Sequence, residues 1–145
     1  MKIRSIGIFP YFTRYTEGGV SASDLWEPEL KKVLNIKTTI LTVPAGLTQK
    51  EFLKKLGTLS PKELTDYLGE DALPETVLCG EIIESHYRLA PRRGWYKTYK
   101  MKVVLYDLDK QKLWDGSVTI DGYLENEKTR AVHLLAKALA AALKE

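Results

Sequence analysis

Period-two alternation is sharpest near the end of the chain. From Leu113 to Leu124 the side chains fall into two sets, Trp114, Gly116, Val118, Ile120, Gly122 and Leu124 against Leu113, Asp115, Ser117, Thr119, Asp121 and Tyr123. Successive strand residues point to opposite faces, so this pattern predicts a strand with one buried and one wet face. Two strand-like runs precede it. Val77 to Arg88 is rich in apolar and β-branched residues and ends at the breaker Ala90-Pro-Arg-Arg-Gly94. Trp95 to Leu108 is full of Tyr, Thr and Val and stops at Asp107-Leu-Asp-Lys-Gln111, where Asp side chains can close a turn on their own backbone. With no helix between them, the three runs predict consecutive antiparallel strands. The second run extends to about 46 Å at strand rise, against about 28 Å for the helix that follows, so its hairpin is expected to project past its helical cover.

The rest of the pattern predicts a β-α-β-α-α-β-β-β-α order over one α/β (α+β) domain, residues 1–145. A first strand is expected over Ile3 to Tyr11 and a polar loop over Thr13 to Ser21. A helix follows over Ser23 to Leu34, with Leu25, Trp26, Leu30, Val33 and Leu34 as its apolar stripe. Pro28 is tolerated only near a first turn, which shifts the expected helix start beyond Ser23. A second strand is expected over Thr38 to Val43. Thr48 caps a helix from Gln49 to Leu56, and Ser60-Pro-Lys-Glu63 is a capping box with proline at the first helical position. The strand beginning near Val77 follows a helical crossover and should run parallel to an earlier strand. The last helix, Asn126 to Lys144, puts Ala131, Leu134, Leu135, Ala138, Leu139 and Ala142 on one side. The result is a mixed sheet with helices packed on one or both faces.

Composition narrows the function classes. With 145 residues and 44% hydrophobic content, the chain can bury roughly 70% of its unfolded surface as one core-bearing domain. The single cysteine, Cys79, rules out an internal disulfide or a cysteine-based zinc site and reads as a buried hydrophobe between Leu78 and Gly80. A net charge of +3 does not by itself demand a nucleic-acid partner. Two Asn and two Gln beside abundant Lys and Glu fit a protein selected for heat resistance. No apolar run approaches the ~20 residues of a membrane-spanning helix.

Reaction chemistry is thin. His86 and His133 have no sequence-local ligand partners, Asp107 and Asp109 lack a Ca²⁺-loop pattern, and Gly18-Gly19 sits in neither a dinucleotide nor a P-loop motif. No catalytic, cofactor-binding or metal-binding residue is assigned, and the chain is expected not to be an enzyme. A small enzyme with a pocket near Gly18-Gly19 is the reading set against that expectation.

One constellation stands out. From Ser85 to Tyr106 there is no acidic residue, while Arg88, Arg92, Arg93, Lys97, Lys100 and Lys102 alternate with Tyr87, Trp95, Tyr96, Tyr99 and Tyr106. Basic groups meet phosphates and aromatics stack on bases, so a nucleic-acid surface over residues 88–102 is coherent. The same residues serve equally as an edge hairpin whose lysines discourage aggregation, or as a protein-contact surface. The partner-binding candidates are Arg88, Arg92, Arg93, Trp95, Tyr96, Lys97, Tyr99 and Lys100.

The combination of Phe9-Pro10 after the first strand, a Ser60-Pro-Lys-Glu-Leu64 helix, Val77-Leu-Cys-Gly-Glu-Ile82, Lys97 to Asp107 and Lys112-Leu-Trp-Asp115 resembles a superfamily of periplasmic lipoproteins. It comprises the curli secretion channel subunit and the lipoprotein activators of penicillin-binding proteins. Gly80, Asp107 and Trp114 match as fold markers. The resemblance implies a non-enzymatic α/β sandwich of the cell envelope, used in assembly, secretion or regulation and often forming rings, with a protein partner or itself as the contact. Auxiliary subunits of envelope lipid transporters share similar domains. The superfamily's leader and lipid-attachment cysteine are missing at the start of this sequence. Periplasmic or outer-membrane placement is expected if a leader was removed, and cytoplasmic placement if Met1 is the natural start.

Overall fold

The computed structural model describes residues 3–9, 13–14, 23–41, 47–68, 74–87, 96–122 and 127–144. Its elements are β1 (Ser5–Ile8), β2 (Thr13–Arg14), α1 (Ser23–Val33), β3 (Lys37–Ile40), α2 (Gln49–Leu56), α3 (Pro61–Leu68), β4 (Thr76–Tyr87), β5 (Tyr96–Asp107), β6 (Lys112–Gly122) and α4 (Glu127–Leu143). They form one mixed sheet of order β3-β1-β4-β5-β6, with β2 alongside β4. β1 is parallel to β3 and β4, while β4, β5 and β6 are antiparallel neighbours. The expected α/β class, parallel crossover and antiparallel triplet all hold. The first strand is shorter than expected, and β2 is an addition that the sequence pattern did not show.

Alternation along the strands sends side chains to two clusters. Ile6, Ile8, Leu78, Ile82, Tyr99, Met101, Val103, Leu105 and Ile120 meet Trp26 and Leu30 of α1 and the inner face of α4. Phe9, Val77 and Cys79 meet Phe52 and Leu56 of α2 and Leu64 of α3. Helices therefore lie on both faces. Each fully buried large side chain contributes roughly 1.5–3 kcal/mol by leaving water.

Local signals set the helix ends. Thr48 is extended (φ −85°, ψ 161°), and its hydroxyl oxygen accepts from the Glu51 backbone N–H, capping α2. At α3 the Ser60 hydroxyl accepts from the Glu63 N–H at 3.2 Å while the Glu63 carboxylate accepts from the Ser60 N–H at 3.3 Å. Both caps follow the expectation. Two helical expectations are corrected. Helix α1 begins at Ser23 with Pro28 inside it, because the burial of Trp26 and Leu30 outweighs the lost backbone hydrogen bond. In α4 the buried stripe is Ala131, Val132, Leu135, Ala136, Leu139, Ala140 and Leu143, whereas Leu134 is 43% exposed and Ala138 faces solvent. Packing against α1 as well as the sheet rotates the apolar face from the predicted one.

Close approach fixes two glycines. A Cβ on Gly7 would lie 2.7 Å from both Leu41 and Pro74 side chains, and one on Gly116 would lie 2.6 Å from the Trp114 ring. The edge of the Trp114 indole therefore reaches over the glycine two residues along its own strand.

Candidate interaction surface

The surface grows out of the β4-β5-β6 ladder. β4 and β5 pair continuously from Thr76↔Asp107 to Tyr87↔Tyr96, and β5 pairs with β6 from Lys97↔Gly122 to Leu105↔Trp114. At Tyr106↔Lys112 the register shifts, leaving Leu113 as the extra residue of a β-bulge. The bulge lets Leu113 pack against the same cluster as Trp114 instead of facing water. The expected faces of β6 otherwise hold, with Ile120 buried and Asp115, Ser117, Thr119 and Asp121 exposed.

The β5-β6 turn is built by Asp107. Its Oδ1 accepts from the backbone N–H of Asp109 and of Gln111, both at 2.9 Å, while Lys110 takes φ 69°. The turn reading of Asp107 therefore stands on geometry. Among the described residues no group of three His, Cys, Asp or Glu could hold a metal ion.

Pleating separates what the sequence interleaves. Tyr99, Met101, Val103 and Leu105 point into the core, and Lys100 and Lys102 point to the other face. Tyr99 is only 1% exposed, so its place among the partner-contacting candidates is corrected: its ring is core. A base-stacking platform needs aromatics and cations on one surface, and this stretch of β5 divides them. Lys100 remains on the face away from α4, half-buried opposite Ile83 and Thr119. Tyr96 and Lys97 are placed by the ladder opposite Tyr87 and His86. Arg88, Arg92, Arg93 and Trp95, like Gly18-Gly19, lie outside the described residues.

Among the described residues, the face bearing Lys100 is only partly roofed. The cluster under α2 and α3 takes its strand residues from Phe9, Val77 and Cys79, with Tyr106 packed at its margin. Farther along, Glu81, Lys102 and Ser117 form one cross-strand row and Ile83, Lys100 and Thr119 the next. A shallow depression of about 310 Å³ between β5 and β6 is lined by Lys102, Val104, Asp115 and Ser117 with the Val103 and Gly116 backbone. It brings one cation, one anion and one hydroxyl onto the same stretch of surface.

Two features escaped the sequence reading. Gln49 at the start of α2 donates its side-chain amide to the Gly80 carbonyl. That carbonyl lies on β4 between its pairing with β1, which ends at Ile8↔Leu78, and its pairing with β2, which begins at Thr13↔Glu81. The second feature is a hydrogen-bonded clasp between α1 and α4. Glu29, 8% exposed, holds His133 Nδ1 at 3.0 Å and Lys32 Nζ at 3.3 Å. The His133 hydrogen bond, opposed by burial and helped by Lys32, keeps the Glu29 carboxyl below its ordinary value of 4.5. His133 thus has a partner in space, at a sequence separation of 104, that local spacing could not reveal. Cys79 is buried as expected, and burial pushes its thiol up to about 12, which leaves it unreactive at neutral pH.

No family model and no curated protein matches this chain. Solved structures do. A PelC dodecamer from Paraburkholderia phytofirmans aligns over 97% of this chain and 86% of its own, with TM-score 0.59 and 17% identity. A point variant of the same PelC, also a dodecamer, gives TM-score 0.61 at 18% identity over 95% and 88% of the two chains. The lipoprotein GNA1162 from Neisseria meningitidis aligns over 97% of this chain and 98% of its own, with TM-score 0.51 and 16% identity. At such identities the likeness is one of fold, and it agrees with the envelope-type fold that the sequence resemblance implied.

Proposed function

We propose that this chain is a non-catalytic module of the cell envelope that acts by protein contact, first of all with copies of itself. The observation that carries the reading is the fold, shared over nearly the whole chain with one protein solved as a dodecamer and another that is a lipoprotein. Assembly or secretion at the periplasmic side of the envelope is the role, as in the curli-channel and penicillin-binding-protein-activator lipoproteins whose motifs the sequence resembles. No helix among the described residues is long and apolar enough to cross a membrane. The segment of sequence between β4 and β5, Arg88 to Trp95, is the contact for a second protein.

The division of Tyr99 from Lys100 and Lys102 weighs against nucleic acid as the partner. Brief amine cross-linking of the purified chain, followed by a denaturing gel, tests the reading. It predicts a ladder of covalent oligomers, and a monomer band alone at every protein concentration would overturn it.

A further inference from the structure

β6 is the last strand of the sheet, and its described pairing is with β5 alone. Among the described residues, one row of its backbone N–H and C=O groups therefore lies along an open edge, a template for another strand. The opposite edge is blunted. β3 is four residues long and begins with the exposed Lys37, and short, charged edge strands resist pairing. β6 has eleven residues and, beyond the bulge at Leu113, pairs regularly from Trp114 to Gly122 without proline or lysine.

Apolar surface continues from that edge onto α4. His133 marks the flank of α4 turned to α1, where it meets Glu29. Leu134, Ala138 and Ala142 follow at i, i+4 and i+8 along the other flank, exposed or half-buried. Leu135, next to Leu134, comes within 3.2 Å of a Cβ placed on Gly116, and the half-buried Trp114 covers the same glycine. Leu134 is the one exposed large hydrophobic among the described residues.

We propose that the β6 edge and this flank of α4 dock a second copy of this chain, with the two β6 strands antiparallel about a two-fold axis at Ser117. The inference rests on the self-assembly reading and names its surface. Side chains of directly opposed residues must share a face, which restricts the axis to a residue position. An axis at Val118 would set Asp115 against Asp121 of the second copy, opposing like charges. An axis at Ser117 sets Asp115 against Thr119 and Trp114 against Ile120 of the second copy. Because the bulge steps Lys112 into the ladder position next to Trp114, the same axis also sets Lys112 against Asp121 of the second copy, an opposite-charge pair repeated at both ends. Lys112 is exposed and holds Asp115 of its own chain at 2.9 Å, so it already lies along this strand.

Ser117→Cys tests the axis directly, since Ser117 is exposed and the native Cys79 is buried. Mild oxidation of the full chain should yield a disulfide dimer on a non-reducing gel, much faster than for Lys50→Cys on α2. Lys112→Glu should weaken self-association roughly tenfold, and adding Asp121→Lys should restore it. Equal oxidation rates for the two cysteine variants, together with no effect of Lys112→Glu, would overturn the proposed surface while a wild-type cross-linking ladder left self-assembly standing. A wild-type chain that never cross-links would remove both.

Discussion

Gly116 has no room for a side chain. A Cβ there meets the Trp114 ring at 2.6 Å and Leu135 at 3.2 Å, so Gly116→Ala must push a half-buried indole off its seat. Overpacking of this kind costs about 1–3 kcal/mol, and urea denaturation should show the loss, with a substitution at the exposed Lys50 of α2, Lys50→Ala, as the control. A second residue-scale prediction concerns acid. Because the Glu29 carboxyl lies below 4.5 in the folded chain, it adds stability that is full above about pH 4.5 and lost as pH falls through the depressed value. Glu29→Gln should therefore be less stable than wild type at neutral pH, with the gap closing in acid; a gap that stays constant down to low pH contradicts the clasp. What was legible at this scale was local. Thr48, Ser60 with Glu63, and Asp107 all find their partners within a few residues, so spacing alone identified them. Glu29 and His133 are separated by 104 residues, and only the packing of α1 against α4 brings them together.

At the scale of elements, Pro28 gives the clearest prediction. It is exposed and lies inside α1, where a proline removes a backbone hydrogen bond and crowds the preceding turn. Pro28→Ala should raise stability by about 1–3 kcal/mol, read as a higher midpoint in thermal unfolding; a lower midpoint would show that α1 needs a kink there to seat Trp26. The strands were legible because alternation and turn chemistry agree at their ends. For β5 the run was read by composition, which joined Tyr99 to Lys100; period two applied to the same residues separates them. The α4 stripe was misplaced for a different reason. Its many alanines fit either side of a helix, so the choice between Leu134 and Val132 as a buried position fell to tertiary packing.

At the scale of the molecule, the described residues cover the sheet on the α1-α4 face, roof part of the other and leave β6 paired on one side. Such an edge is a template for another strand, and a second copy of the chain is the cover proposed for it. The class, the order of elements along the chain and the antiparallel triplet were legible from the sequence; the order of strands across the sheet, and with it the edge at β6, was not, because it depends on pairings between distant segments. Light scattering on the eluted full-length chain tests the central claim most directly, with loading varied from about 1 µM to about 300 µM so that mass action can act. The account predicts masses at whole multiples of 16.5 kDa, rising with concentration. A mass of 16.5 kDa throughout that range would contradict it.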